Sequence, residues 1–572
     1  MEKIRKIKLA IKREKLDGYI IPKNDEYFCE YTPDHNDRLN YISNFSGSFG
    51  LALILRDKNY LFVDGRYTLQ ANNECGNFFE IITIPNKKPE NIFKGKNLLI
   101  GFDPKLFTKN ILNIFFGMNN CKFKPLSNNL IDEIWKRKIK AAKNKFYSLP
   151  MVSVGESYKS KIKRIISNLK QKGADYQFVT ASENNAWLLN LRGRDSKYTP
   201  IPYSHILIGK NRSIKFFCDL KKVSLSLKRK LSNIQFIKKE YTKRVLSEIR
   251  KKKFIIDKNT CSFYYEKIIS NNNKILDCQD PIYFYKAIKN KKEIENIKKA
   301  HIYDGAALTK FLFWLKKNFV KKNITEISAS KKLYNFRKLH KNFKFLSFPT
   351  ISSTGPNGAI IHYKPSNKTN RKLREGDIYL VDSGGQYEFG TTDVTRTISL
   401  NNTNNRIKDI FTRVLKGHIA VADFNLKNST TGSKIDLLAR KYLKQIGLDY
   451  AHGTGHGVGY FLNVHEGPHA ISKNNKIKFK EGMVVSNEPG YYEKNNFGIR
   501  IENLIYVKKQ KLNQSFENLT MVPIDKQLIN LKLLTANEKK WVNNYHKKVY
   551  KNIKEFMLKS EMKDLQKACS II

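Results

Sequence analysis

The chain has 572 residues, long for one domain, and predicts roughly two to four. It is 41% hydrophobic, enough for real cores, yet no apolar run approaches the ~18–20 residues of a membrane helix. Its net charge of +55, from 106 basic and 51 acidic residues, is dispersed and comes with no zinc-finger, RRM or KH signature. The excess therefore reads as a Lys-, Asn- and Ile-rich composition rather than as specific nucleic-acid recognition.

The N-terminal MEKIRKIKLAIKREKLDGYIIP lacks the apolar core of a secretory signal. It reads as an amphipathic helix stopped by Gly18, then a short strand. The runs DGYIIP, FGLALILR, KNYLFVDG, FFEIITIP and NLLIGFD predict strands within residues 1–150. The alternation restarts in 151–285 with ADYQFVTAS, AWLLNLRG, SHILIGK, SIKFFCDL and KKFIIDK. Two segments, ISNFSGSFGLALILRDKNYLFVDGR and LLNLRGRDSKYTPIPYSHILIGKNRSIKFFCDL, share an apolar strand, a basic turn and a second strand ending in Asp. They predict a duplicated α/β domain. Residues 286–318 show helical spacing and open a third domain, 286–510. The remainder, 511–572, predicts an apolar stretch and one basic helix. Seven scattered cysteines, with no CxxC pair, argue against a disulfide framework and for a reducing cytoplasm.

Five residues of the third domain carry the chemistry: Asp382, Asp393, His456, Glu488 and Glu502. They interrupt segments otherwise apolar or glycine-rich, and unpaired acids in strands are costly to bury. Asp382 and Asp393 flank SGGQYEFGTT, and Glu488 and Glu502 flank PGYYEKNNFGIRI. Each pair reads as a hairpin that can aim two carboxylates at one spot, with His456 arriving from a glycine-rich loop. Four carboxylates and one imidazole suit two divalent cations, Mn²⁺ better than a thiolate-seeking metal, and hence a metal-assisted hydrolase. His362, His452 and His465 are candidates for polarising a carbonyl or stabilising an oxyanion. His469 stands between function and packing, and the other histidines read as core or surface residues.

The segments SFPTISSTGPNGAIIHYKP, YLVDSGGQYEFGTTDVTRTI, HGTGHGVGYFLNVHEGP and VVSNEPGYYEKNNFGIRIEN resemble the metallo-aminopeptidases with the pita-bread fold. The likeness is strongest to the long, three-domain aminopeptidase P (Xaa-Pro aminopeptidase) family. KNDEYFCEYTPDHNDRLNYISNFSGSFGLALI, AWLLNLRGRD and DPIYFYKAIKNKKEIENIKKAHIYDGAALTKFLFWL resemble its upstream domains and the start of its catalytic domain. The resemblance implies an α/β (α+β) chain of two creatinase-like N-terminal domains followed by a pita-bread metallopeptidase domain. It further implies that Asp382 binds one ion, that Asp393 and Glu502 bridge two, and that His456 and Glu488 complete the ligands of the second ion. A metal-bridging hydroxide would attack the carbonyl before a penultimate proline, and Glu488 would carry the proton to the leaving nitrogen. His362, His452 and His465 match substrate-binding and transition-state positions, and Arg500 a basic residue behind the site. Mn²⁺, peptide substrates with penultimate proline, a homodimer and a cytoplasmic location are implied, with neither membrane nor specific nucleic-acid partners. A prolidase-type dipeptidase and a non-catalytic peptide-binding relative are the alternatives.

Overall fold

A computed structural model describes residues 2–84, 86–87, 89–93, 97–117, 121–137, 144–427, 429–510 and 513–572. The chain forms two compact units, one of Met1–Met151 with Glu156–Ile282 and one of Val152–Gly155 with Tyr283–Ile572.

The first unit contains two six-stranded sheets with the same topology. In the first, the order is Glu80–Ile84, Asn59–Asp64, Leu51–Leu55, Gly18–Pro22, Leu99–Phe102, Lys122–Pro125. In the second it is Gln235–Lys238, Ile214–Cys218, His205–Gly209, Tyr176–Val179, Lys253–Ile256, Lys274–Asp277. Three central strands pair antiparallel and the flanking ones parallel, in the same places in both sheets. The two segments read as a repeat supply the equivalent hairpins 51–64 and 205–218. Side chains alternate across the pleat. Tyr19 and Ile21 join one buried cluster with Ile11 and Phe45, while Ile20 joins the opposite one with Leu53 and Phe62.

Two expectations need correction in this unit. The first helix ends at Arg13, and Gly18 opens the following strand instead of stopping the helix. AWLLNLRG is not one strand: Ser182–Leu188 is helical, and only Leu191–Arg192 is extended. A helix buried all round has the same unbroken apolar run as a buried strand.

The second unit begins differently from the sequence expectation. Lys286 lies in the helix Pro281–Ala287, and a separate 28-residue helix, Lys291–Asn318, starts at an Asn290–Glu293 capping box. The break is imposed from outside the segment: Ile288 bridges to Met483, and the Lys289 N–H donates to the Gly482 carbonyl. The long helix packs Leu308, Phe311, Leu312 and Leu315 against Tyr379, Val381 and Ile398 of a three-stranded sheet. That sheet joins Ile351–Thr354, Ile378–Ser383 and Val394–Ser399. A six-stranded sheet, with Val484–Asn487, Asn503–Gln510 and Gly455–Gly457 among its strands, faces the helices Asn405–Ala422 and Gly432–Lys444. The sheets meet where the Glu502 N–H donates to the Thr395 carbonyl at 3.2 Å.

The expected single C-terminal helix is two, Ala536–Ile553 and Lys559–Cys569, separated by a 3-10 turn. The tail packs into the second unit. Arg396 donates through Nη2 to Tyr545 Oη at 2.8 Å and through Nη1 to the carbonyls of Glu502 and Thr395 at 2.7 and 2.8 Å. The tail thereby braces the backbone at the sheet junction.

Beneath the long helix, buried Arg337 forms a two-point ion pair with buried Asp304 at 2.7 and 3.1 Å, and Tyr387 Oη donates to Asp304 at 2.8 Å. Asp304→Ala strands that guanidinium. It is predicted to destabilise the second unit by on the order of 3–5 kcal/mol, read as a lowered denaturation midpoint.

Candidate metal centre

Asp382, Asp393, Glu488 and Glu502 all sit at places where ladders end or change partners. Asp382 is the penultimate residue of Ile378–Ser383, opposite Ile351 and Thr395. The expected tight Asp hairpin is longer: Gly385–Tyr387 and Gly390–Thr391 pair in a separate sheet before the chain returns. Asp393 lies one residue before Val394–Ser399. Glu488 follows Val484–Asn487, and Glu502 lies between Phe497–Arg500 and Asn503–Gln510. Asp382 keeps its pairing on both sides, whereas Asp393, Glu488 and Glu502 lie just outside their strands, where the backbone is free to bend toward it.

His456 arrives on Gly455–Gly457, between two neighbouring strands. A Cβ on Gly455 would lie 1.9 Å from the Ser486 carbonyl oxygen, and one on Gly457 2.2 Å from that of Glu466. Glycine on both sides lets the imidazole strand approach this closely. His456 Nδ1 is 3.0 Å from the Gly457 carbonyl, which can only accept, so Nδ1 carries the proton. Nε2 is left facing Glu488 Oε1 at 3.4 Å and Asp393 Oδ2 at 3.5 Å.

Asp393, His456 and Glu502 each present a donor atom, all within 4.8 Å of one another. Glu488 and His456 keep side-chain exposures of 17% and 21%, whereas Glu502 is fully buried, so the cluster opens on the Glu488 side. Asp382 is fixed by Arg500, whose Nη2 donates to Oδ2 at 2.6 Å. Its Oδ1 is buried without a hydrogen-bond partner among the described residues.

The electrostatics record four carboxylates crowded together. Burial, reinforced by the charges of Asp393, Glu488 and Asp382, pushes the Glu502 carboxyl well above its ordinary range. Burial raises Asp393 to about 6; its bond to His456 works against the rise and the Asp382 charge adds to it. Burial opposes the charged form of His456, but the bond to Asp393 and the charge of Glu488 outweigh it and raise the imidazole to about 9. Arg500 and, without a bound ion, the protonated His456 are the cations bonded into the cluster, and two positive charges do not balance four carboxylates. The donor set is hard oxygen plus one imidazole presenting Nε2, and one buried carboxylate oxygen lacks a partner. Those features fit divalent cations.

Side chains the sequence reading did not single out hold this geometry. Thr395 Oγ1 accepts from Arg500 Nε at 3.1 Å and donates to Glu502 Oε2 at 2.7 Å. Ser486 donates to Glu488 Oε1 at 3.0 Å. Tyr492 Oη accepts from Arg500 Nη1 at 2.6 Å and lies 2.9 Å from His452 Nε2. His452 Nδ1 lies 2.7 Å from the Gly453 carbonyl, so Nδ1 donates there and Nε2 accepts the tyrosine proton. His452, Tyr492, Arg500 and Asp382 thus form one chain of bonds. Strand periodicity puts Thr395 on the face of Asp393, and Tyr492 lies inside the Glu488–Glu502 hairpin; those were the available signals.

His465 lies with its ring 4.2 Å from that of His456, nearly perpendicular. His362 is half-buried in the turn after Gly355–Ala359, a segment packed against Phe497–Arg500. His469 is buried, its Nε2 2.7 Å from the Val484 carbonyl, and burial pushes it down to about 4; it packs behind His456. His205, His301, His418 and His546 are buried elsewhere.

Family comparisons agree along the chain. Residues 295–509 match metallopeptidase family M24, and 514–572 match the C-terminal region of that family. Residues 3–134 and 137–293 each match a creatinase/prolidase N-terminal domain. A Laccaria bicolor protein named probable Xaa-Pro aminopeptidase P is 37% identical, over 99% of this chain and 92% of its own. Xaa-Pro aminopeptidase 1 of Dictyostelium discoideum is 38% identical, over 96% and 93%. The crystal structure of a Caenorhabditis elegans X-prolyl aminopeptidase, described as a cytosolic enzyme with a di-nuclear active site, superposes with a TM-score of 0.95 at 31% identity. It covers 100% of this chain and 99% of its own. A Thermococcus sibiricus prolidase shares the fold, with a TM-score of 0.53 at 24% identity over 66% of the chain. The chain therefore belongs to metallopeptidase family M24, with two creatinase-like N-terminal domains ahead of a pita-bread domain.

Proposed function

We infer that this chain is a metal-dependent aminopeptidase that releases the first residue of peptides whose second residue is proline. The observation that carries the reading is the buried cluster of four carboxylates and one imidazole, in a chain similar over nearly its whole length to proteins named Xaa-Pro aminopeptidase. The prolidase likeness extends to the fold alone.

Asp382, Asp393, His456, Glu488 and Glu502 would hold two divalent ions, and the carboxylate-rich set favours Mn²⁺. When bound, such ions lower the pKa of water and polarise the scissile carbonyl. The chain's own groups do the rest. Arg500 and Thr395 fix the orientations of Asp382 and Glu502, and Ser486 that of Glu488. The proline amide nitrogen carries no N–H and leaves only as a protonated amine. Glu488, partly open to solvent, takes the proton of the attacking water and returns it to that nitrogen. His465, beside His456, donates to the substrate carbonyl and the developing oxyanion; His452, its two ring nitrogens engaged by the Gly453 carbonyl and Tyr492, positions Tyr492 beside the site, and His362 lines the substrate side.

The similarity to a relative described as a cytosolic enzyme supports a cytoplasmic location; no described helix is long and apolar enough to cross a membrane. We assign the segments as 1–150, 151–285, 286–510 and 511–572, and the assembly as a homodimer.

Arg-Pro-Pro is predicted to lose its first residue far faster than Arg-Ala-Ala, measured by release of free arginine with Mn²⁺ added. Equal rates, or turnover confined to dipeptides, would place the chain in another branch. Asp393→Asn should lose both metal, by elemental analysis, and turnover. His465→Ala should keep its metal and slow the reaction by about 10²–10³-fold. Metal loss on His465→Ala would mean that this imidazole is a ligand.

A further inference from the structure

Lys286, Lys289 and Glu466 are ionisable side chains of the second unit with no part in the chemistry above, and all three are buried to 1% exposure or less. Lys289 Nζ lies 2.5 Å from Glu466 Oε1, and Lys286 Nζ 3.1 Å from Oε2. Each carboxylate oxygen thus has its own ammonium. Two cations against one anion leave a net positive charge in the interior. As a device for stability alone this arrangement is poor, because well-packed apolar side chains of similar volume stabilise as much or more. What charged pairs supply is direction and register.

The register they set is that of the metal strand. Glu466 opens the strand Glu466–Ile471, directly opposite Gly457. The pairing slips sharply there: His456 faces Ala470, whereas Gly457 faces Glu466, so Gly467, Pro468 and His469 form a bulge alongside His456. The Glu466 carbonyl is so close to Gly457 that no Cβ fits between them. Fixing Glu466 therefore fixes His465, one residue before it, and Gly457, one residue after His456. These are the two imidazoles whose rings stand 4.2 Å apart. The lysines are themselves anchored: Lys289 by its N–H bond to the Gly482 carbonyl, and Lys286 on the helix Pro281–Ala287 with its ammonium 4.9 Å from the centre of the Tyr283 ring.

We propose that Lys286, Lys289 and Glu466 form a buried clamp that positions His465 beside His456 for peptide hydrolysis. None of the three touches substrate; they act through His465. The proposal rests on the aminopeptidase reading of the centre, and its tests are chosen to separate the two. Lys289→Met leaves a one-to-one pair and a foldable core. It is predicted to lower kcat on Arg-Pro-Pro at least tenfold, with KM within about threefold and metal content and melting close to wild type. Lys289→Arg should restore most of kcat. A triple variant, Lys286→Met with Lys289→Met and Glu466→Leu, supplies apolar packing without direction; it should fold and stay slow. Wild-type kcat in Lys289→Met or in the triple variant would overturn the clamp, as would a loss explained entirely by missing metal or unfolded chain. A crystal structure of Lys289→Met tests it without turnover. The His456–His465 separation should widen from 4.2 Å; an unchanged separation overturns the proposal even if the wild type proves inert on Xaa-Pro peptides, a result that would refute the aminopeptidase reading separately.

Discussion

Repulsion between carboxylates is the constraint around which the second unit is built. Asp382, Asp393, Glu488 and Glu502 meet in a largely buried space, where burial first and the neighbouring carboxylate charges second push the Glu502 and Asp393 carboxyls above their ordinary range. Folding alone does not relieve it, since Arg500 and the raised imidazole of His456 supply two positive charges against four carboxylates. A structure that keeps such a cluster is organised for bound cations, and cation binding then adds to the stability of the folded state.

The scaffold answers with rigidity on every side. The acids stand where strands end or change partners, so the backbone bends inward without abandoning its hydrogen bonds on the flanks. Arg500 reaches Asp382, Thr395 and Tyr492, and Thr395 passes the constraint to Glu502. Arg396 braces the backbone of Thr395 and Glu502 and is itself held by Tyr545 of the C-terminal helix. The tail, which the sequence presented as an apolar stretch and a basic helix, thus becomes part of the support of the centre.

Much of this was legible in the sequence because it depends on contrast. Acids inside apolar strands stand out, and so did the inner strands of the N-terminal sheets, which are apolar runs between turn residues. The edge strands Lys122–Pro125, Gln235–Lys238 and Lys274–Asp277 were not, because they bury little and read as polar, basic segments. The helix break at Ile288–Asn290 was hidden because its cause, pairing with Gly482 and Met483, lies nearly two hundred residues away. Thr395, Ser486 and Tyr492 escaped because a hydroxyl carries no charge contrast, and Lys286 and Lys289 because lysines crowd the whole chain.

The central claim is that the cluster is made for two cations. The direct measurement is calorimetric titration of the chelated chain with Mn²⁺, with thermal melting followed at each step. The account predicts two ions bound per chain and a rise in the melting midpoint of the second unit as they bind. A chain that binds no Mn²⁺, or whose melting is indifferent to it, would contradict the account.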